Sequence, residues 1–230
     1  MNPITVGIIA ILLVLLMVFW QRWRYRIRAD YIHRYTFPPG LYEKLRKRRP
    51  ELSPKDCQLV GRALRQFFLA YLQSGCRFVS MPSQVTDDLW HEMILYTRHY
   101  DYFCKKAFGR FLHHTPAVVL SRDKQTNTGL RRVWWYTCRE EYIDPRKPNR
   151  LPLLFAIDQK LNIEDGFIYV PDCRNIRRQD DTTSSIPYCG GDFSSTDFDG
   201  STDGFGDSSD SSDNSDGSDS GCGGGCGGGD

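Results

Sequence analysis

Residues 81–116 read MPSQVTDDLWHEMILYTRHYDYFCKKAFGRFLHHTP, a stretch with four of the five histidines, two adjacent aspartates, a Trp-His pair and a cysteine. Imidazole, carboxylate and thiolate are the groups that bind transition metals and move protons near neutral pH. On a helix, Asp87 and His91 stand one turn apart, so carboxylate and ring can touch. His91 with His113 or His114, completed by Cys104 or Asp87, is a donor set that suits zinc. Asp87, His91, Cys104 and His114 are therefore the candidate ligands. The run His91-Glu92-Met93-Ile94-Leu95 begins like the metalloprotease pattern HExxH, but Leu95 stands where the second histidine is required, which removes that chemistry. Neither a Gly-x-Ser-x-Gly elbow nor a Gly-x-x-x-x-Gly-Lys phosphate loop occurs. No catalytic role is assigned. The competing reading is structural: Asp87 hydrogen-bonds one nitrogen of a buried His91.

Near the end of the chain, Cys222 and Cys226 form a Cys-x3-Cys pair among glycines, within metal-ligand spacing but only half of a site. The Asp-rich run before it lacks the register and final Glu of a calcium loop.

The elements that must position these residues are helical. Ser53, Pro54 and Asp56 are a helix start, and Cys57, Val60, Leu64, Phe67, Phe68 and Tyr71 recur at spacings of three and four up to Gly75. A second start at residues 80–82 leads into one stripe: Val85, Leu89, Met93, Tyr96, Tyr100, Phe103 and Ala107. Gly109 ends this helix, or a pair of helices broken near His99. Asp87 and His91 lie nearly opposite the stripe. Either solvent or a second layer faces them, and Trp90, Ile94 and Leu95 favour partial cover. Further helices are expected over 41–49, 123–141 and 151–161, with a brief extended piece at 166–170. Alternating strands and internal repeats are absent from the pattern. The expected fold is all-α.

Residues 4–20 carry no charged side chain and are followed by Arg22, Arg24, Arg26 and Arg28. Seventeen residues span about 25 Å, and Trp20, Trp23 and Tyr25 suit the interface of a bilayer whose hydrocarbon core is about 30 Å thick. A cleavable signal has its positive charge before the apolar run and small residues after it; here both features are reversed. The reading is an uncleaved single-pass anchor, N-terminus out, with the bulk of the chain in the cytoplasm at a bacterial inner membrane. There the eight cysteines are thiols or metal ligands rather than disulfides.

The net charge of +2 conceals a division. After residue 178 there is no Lys or Arg but 12 Asp, so the first 178 residues hold all 30 basic side chains against 16 acidic ones. The Ser/Asp/Gly tail cannot bury enough apolar surface to fold. The expected organisation is an anchor at 3–21, a basic juxtamembrane linker and short helix at 22–52, a helical domain at 53–178 and a disordered tail at 179–230. Aromatic residues sit at core spacing rather than along a basic groove, which argues against nucleic acid.

Val85-x-Asp87-x-x-Trp90-His91, Tyr100-x-x-Phe103-Cys104, Phe108-Gly109 and His114-x-Pro116 resemble the glycine-rich domain-containing protein-like family of plant and bacterial proteins, over residues 54–170. The N-terminal anchor is not part of the plant pattern. The resemblance implies a helical domain without an established catalytic activity, and it supplies no substrate. The expected role is a membrane-anchored interaction or scaffolding module with a protein partner. The alternative is a metal-binding protein, or a metal-dependent enzyme, with zinc around Asp87, His91 and His114. Convergence of His91 and His114 in space discriminates between the two.

Overall fold

Helix α3 (Pro54–Gln73) starts where the residues at its head dictate. The Ser53 hydroxyl accepts from the Asp56 N–H at 3.2 Å, and the Asp56 carboxylate accepts from the Ser53 N–H at 2.9 Å. This reciprocal box satisfies two of the N–H groups that a helix end leaves open, and Pro54 supplies a preset φ at the first position. At the other end Gly75 adopts φ +74°, and Cys76 N–H reaches back to the Tyr71 carbonyl at 3.0 Å. Twelve of its twenty residues are buried, and five other helices pack against it. It is the hub of the molecule.

The computed structural model describes residues 3–114, 128–171 and 188–193. Among these, seven α-helices account for nearly all regular structure: α1 (Pro3–Arg34), α2 (Leu41–Arg48), α3, α4 (Gln84–Leu95), α5 (Thr97–Ala107), α6 (Thr128–Glu140) and α7 (Leu153–Lys160). Two short strands, β1 (Tyr169–Val170) and β2 (Tyr188–Cys189), pair in parallel and lead into a 3₁₀ turn at Gly190–Phe193. The fold is all-α, as expected. Cys222, Cys226 and most of the acidic tail lie outside the described residues, as do Thr115, Pro116 and the expected first turn of the 123–141 helix.

Three boundaries differ from the sequence reading. Helix α4 is capped by Ser83 and begins at Gln84; neither Ser80 nor Pro82 opens it. The long stripe is two helices, divided at Tyr96 (φ −82°, ψ 58°), three residues before the expected break. The packed body is also larger at both ends than residues 53–178. Ile32, Phe37, Leu41, Leu45 and Leu52 are buried, so the basic stretch 22–52 is part of the domain rather than a linker to it. Most of its arginines and lysines look outward, Arg49 excepted, while these apolar residues turn in. At the other end Phe193 is 4% exposed and packs on Trp134, Phe155 and Tyr169, with ring centroids 5.5–6.1 Å apart. One aromatic ring holds a segment whose neighbours are polar.

Helix α1 is 32 residues long, about 48 Å, and continuous. By length and composition it is one helix long and apolar enough to cross a membrane, and its apolar half is exposed among the described residues. Its last two turns enter the core, where Ile32 is fully buried and Tyr31 lies 6.0 Å from Phe103.

Candidate metal centre

Helix α4 is fixed at its head by a residue distant in sequence. The Asp158 carboxylate on α7 accepts from Ser83 Oγ at 2.8 Å and from the backbone N–H groups of Gln84 and Val85 at 2.7 and 3.1 Å. Its fourth donor is the Phe167 N–H at 3.0 Å. Burial pushes this carboxyl up, and the four donors pull it back. One turn into α4, the adjacent aspartates diverge. Asp88 is fully buried and pairs with Arg48 and Arg49 of the α2 end at 3.0 and 2.8 Å. Asp87, also buried, turns toward the other side and meets the histidines.

His91 sits one turn further on, its Nδ1 3.0 Å from the Asp87 carbonyl and 3.3 Å from Asp87 Oδ2. His114 arrives from the segment after α5. That helix ends at Gly109 (φ +75°), and the chain then folds back across α4. A buried relay fixes it: Trp90 Nε1–H donates to the Tyr100 hydroxyl at 3.1 Å, which donates to the Leu112 carbonyl at 2.6 Å. Burial holds the Tyr100 hydroxyl far above the ordinary phenol range, so it stays a neutral donor. The Trp90 ring also stands edge-on to His114, 4.5 Å between centroids. Together these place His114 Nε2 2.9 Å from Asp87 Oδ1, with the two imidazoles 4.0 Å apart.

Two imidazoles and one buried carboxylate thus offer donor atoms within 4.8 Å of one another. Zinc–nitrogen and zinc–oxygen bonds of about 2.0–2.1 Å in tetrahedral geometry put ligand atoms about 3.3 Å apart. His114 Nε2 at 2.9 Å and His91 Nδ1 at 3.3 Å approach different oxygens of the Asp87 carboxylate, so the side chains would have to shift to meet a single ion. The exposure is graded: the Asp87 side chain is 5% exposed, His114 12% and His91 43%. The cluster therefore opens to solvent on the His91 side, where a fourth ligand would enter. Without a metal, the same atoms form a hydrogen-bonded pin. His114 Nε2–H then donates to the carboxylate, and His91 Nδ1–H is shared between the carboxylate and carbonyl of Asp87.

A family model described as UCP032817-like matches residues 27–193. The chain belongs to the UCP032817-like family. The matched span runs from the second half of α1 to Phe193, the last described residue, so the UCP032817-like region and the packed body share their limits. No curated protein and no solved structure matches the chain. UCP032817-like membership brings no activity with it.

Within this UCP032817-like domain, three of the four expected ligands come together and one does not. Cys104 is fully buried in α5 beside Tyr100 and the Leu112 backbone, and burial pushes its thiol up, away from the thiolate a metal needs. Its place in the sequence, one turn after Tyr100, is that of a core residue. His113 points elsewhere, its ring tilted against Phe111 with centroids 4.9 Å apart. Leu95, which stands in the position of the missing protease histidine, is 66% exposed. Sequence reasoning missed the supporting residues Asp158 and Arg49, and it named Trp90 and Tyr100 without their pairing. Trp90 and Tyr100 lie ten positions apart on two helices, a spacing with no periodic signature across the break at Tyr96.

Proposed function

We propose that this protein is a membrane-anchored helical domain that binds a divalent transition metal of the zinc class through Asp87, His91 and His114. One observation carries the reading: His91 and His114, from separate segments, converge on a single buried carboxylate while one side of the cluster stays open. Trp90, Tyr100 and Leu112 support it as the second layer that orients a ligand and excludes water. For the anchor, the support is the uncharged 4–20 run, the interfacial tryptophans and the four arginines that follow.

The test is elemental mass spectrometry on the full chain purified in detergent, beside a His91→Ala/His114→Ala double variant. About one equivalent of zinc in the wild type, lost in a variant of unchanged helix content, is expected. Metal uptake should weaken as pH falls, because bound metal and ring protons compete for the same nitrogens. Metal in neither protein would leave the histidines as pins and favour the second reading, a membrane-anchored interaction module. Exposed Phe78, Tyr102 and Phe111, each 43–59% accessible, are the observation behind that reading. The anchor is tested separately: resistance to alkaline extraction and an intact mass that includes residue 1 are expected, and a cleaved N-terminus would mean a signal sequence.

A further inference from the structure

A cleft of about 320 Å³ lies where α1 first meets the domain. One wall is α1 itself, with Trp20, Arg24 and Arg28; the other is the domain, with Leu72, Phe108 and Arg110. The Arg28 guanidinium lies directly over Gly109, where a Cβ would meet Nη2 at 2.5 Å, so this arginine is seated beside the turn that carries Arg110. The charges of Arg28 and Arg110 both act on the neighbouring Cys76 thiol, a second sign that they share one space. Arg24 stacks on the Trp20 ring at 4.4 Å. No carboxylate lines the cleft, and none of the three arginines has a carboxylate partner among the described residues. Three guanidiniums beside apolar walls, with no counter-charge, form a receptor for an anion attached to something greasy.

The position says which anion. On the anchor reading, on which this inference rests, Trp20 ends the apolar span and sits at the edge of the hydrocarbon. A helix rises about 1.5 Å per residue, so Arg24 lies about 6 Å and Arg28 about 12 Å beyond it. The headgroup layer of one leaflet is roughly 5–8 Å deep. Arg24 is thus within that layer, and Arg28 stands about 4 Å beyond its outer limit, where its long side chain and that of Arg110, brought alongside by the domain, can reach back to the phosphates. Guanidinium forks match phosphate oxygens two at a time, and the leucine and phenylalanine opposite suit the glycerol and upper acyl carbons.

We infer that the cleft between α1 and the Gly109–Arg110 turn holds the phosphate headgroup of an anionic phospholipid, which clamps the domain against the bilayer surface. The occupant is a lipid of the leaflet that α1 leaves, not a soluble phosphate, because the cleft begins at the residue that ends the span.

The test uses the full chain in nanodiscs of phosphatidylcholine with or without phosphatidylglycerol, with retained lipid counted by native mass spectrometry after release into detergent. The wild type should keep phosphatidylglycerol in preference to phosphatidylcholine. Arg110→Gln and Arg24→Gln should each lower that preference about fivefold, the worth of one basic side chain near an anionic surface, while Lys55→Gln leaves it unchanged. Arg24 is exposed on α1, so its variant stays informative even if Arg110→Gln perturbs the domain. Equal retention of both lipids, or a preference indifferent to both arginine variants, would overturn the inference. So would displacement of the lipid by millimolar inorganic phosphate, which would reassign the cleft to a soluble anion. A chain that fails to enter either nanodisc would instead sink the anchor reading, an outcome visible before any lipid is counted.

Discussion

Asp158 shows how much of the candidate site depends on a residue with no chemistry of its own to perform. Its carboxylate takes up three donors at the head of α4 and a fourth from Phe167. Asp158→Ala leaves those N–H groups buried without an acceptor, at about 1–3 kcal/mol each before relaxation. A loss of about 3–5 kcal/mol in urea unfolding, with weakened metal binding as Asp87 and His91 shift, is expected; Asp158→Asn should recover part of both. Glu140 behaves differently. Burial, aided by the charge of Glu141, pushes its carboxyl up to about 7. The folded protein therefore holds a proton that the unfolded chain releases near pH 4.3. Stability from this group is complete below that value and declines as pH rises to about 7, by about 3–4 kcal/mol in all. Comparing unfolding midpoints at pH 5 and pH 8 should show the decline, and Glu140→Gln should flatten it. Neither residue was legible in the sequence as special. Asp158 lies 73–75 positions from the three residues whose donors it takes at the head of α4, and Glu140 resembles any surface glutamate at the end of a basic helix.

Among the elements, the short segment after α5 is the most consequential for the site, and a single hydroxyl holds it. Tyr100 joins α5 to Trp90 on α4 and to the Leu112 carbonyl. Tyr100→Phe keeps the ring packing but leaves a buried N–H and a buried C=O unpaired, so a loss of about 1–3 kcal/mol is expected. The sharper readout is metal affinity. Zinc titration should show weaker binding than in wild type, because His114 is no longer delivered to Asp87; unchanged affinity would mean that Trp90 alone sets the ring. At this scale the sequence was legible wherever a signal is local. Ser53-Pro54-x-Asp56 announced α3, and the Val85–Ala107 stripe announced a buried face. It was illegible where two helices share a stripe across a turn, since period alone cannot reveal the rotation at Tyr96. The partial cover expected over Asp87 and His91 is real, but the returning 111–114 segment provides it, and nothing local announces such a crossing. The misplaced Cys104 has the same origin: proximity in sequence suggested a ligand, whereas burial against Leu112 makes it core.

For the whole molecule, burial sets the unit that folds. Ile32 near the end of α1 and Phe193 in the 3₁₀ turn are both inside, so a fragment of residues 27–193 should fold with a cooperative melt. A fragment of residues 53–178 should not, since it lacks Ile32, Leu41, Leu45 and Phe193, each worth about 1.5–3 kcal/mol of burial. Circular dichroism melts of the two fragments check this directly. Composition misled at both limits, because it marked residues 22–52 and the tail from 179 as peripheral, while Ile32, Phe37, Leu41, Leu45 and Leu52 at one end and Phe193 at the other are in the core.

Helix α1 passes from its apolar half into the core without a break between Pro3 and Arg34. On the anchor reading this makes the protein a mast rather than a tether. Ile32 stands twelve residues beyond Trp20, about 18 Å along the axis, so the core is carried at a set height and cannot swing out to search the solution. On that reading, whatever meets the open side of His91 meets it at a fixed distance from the bilayer.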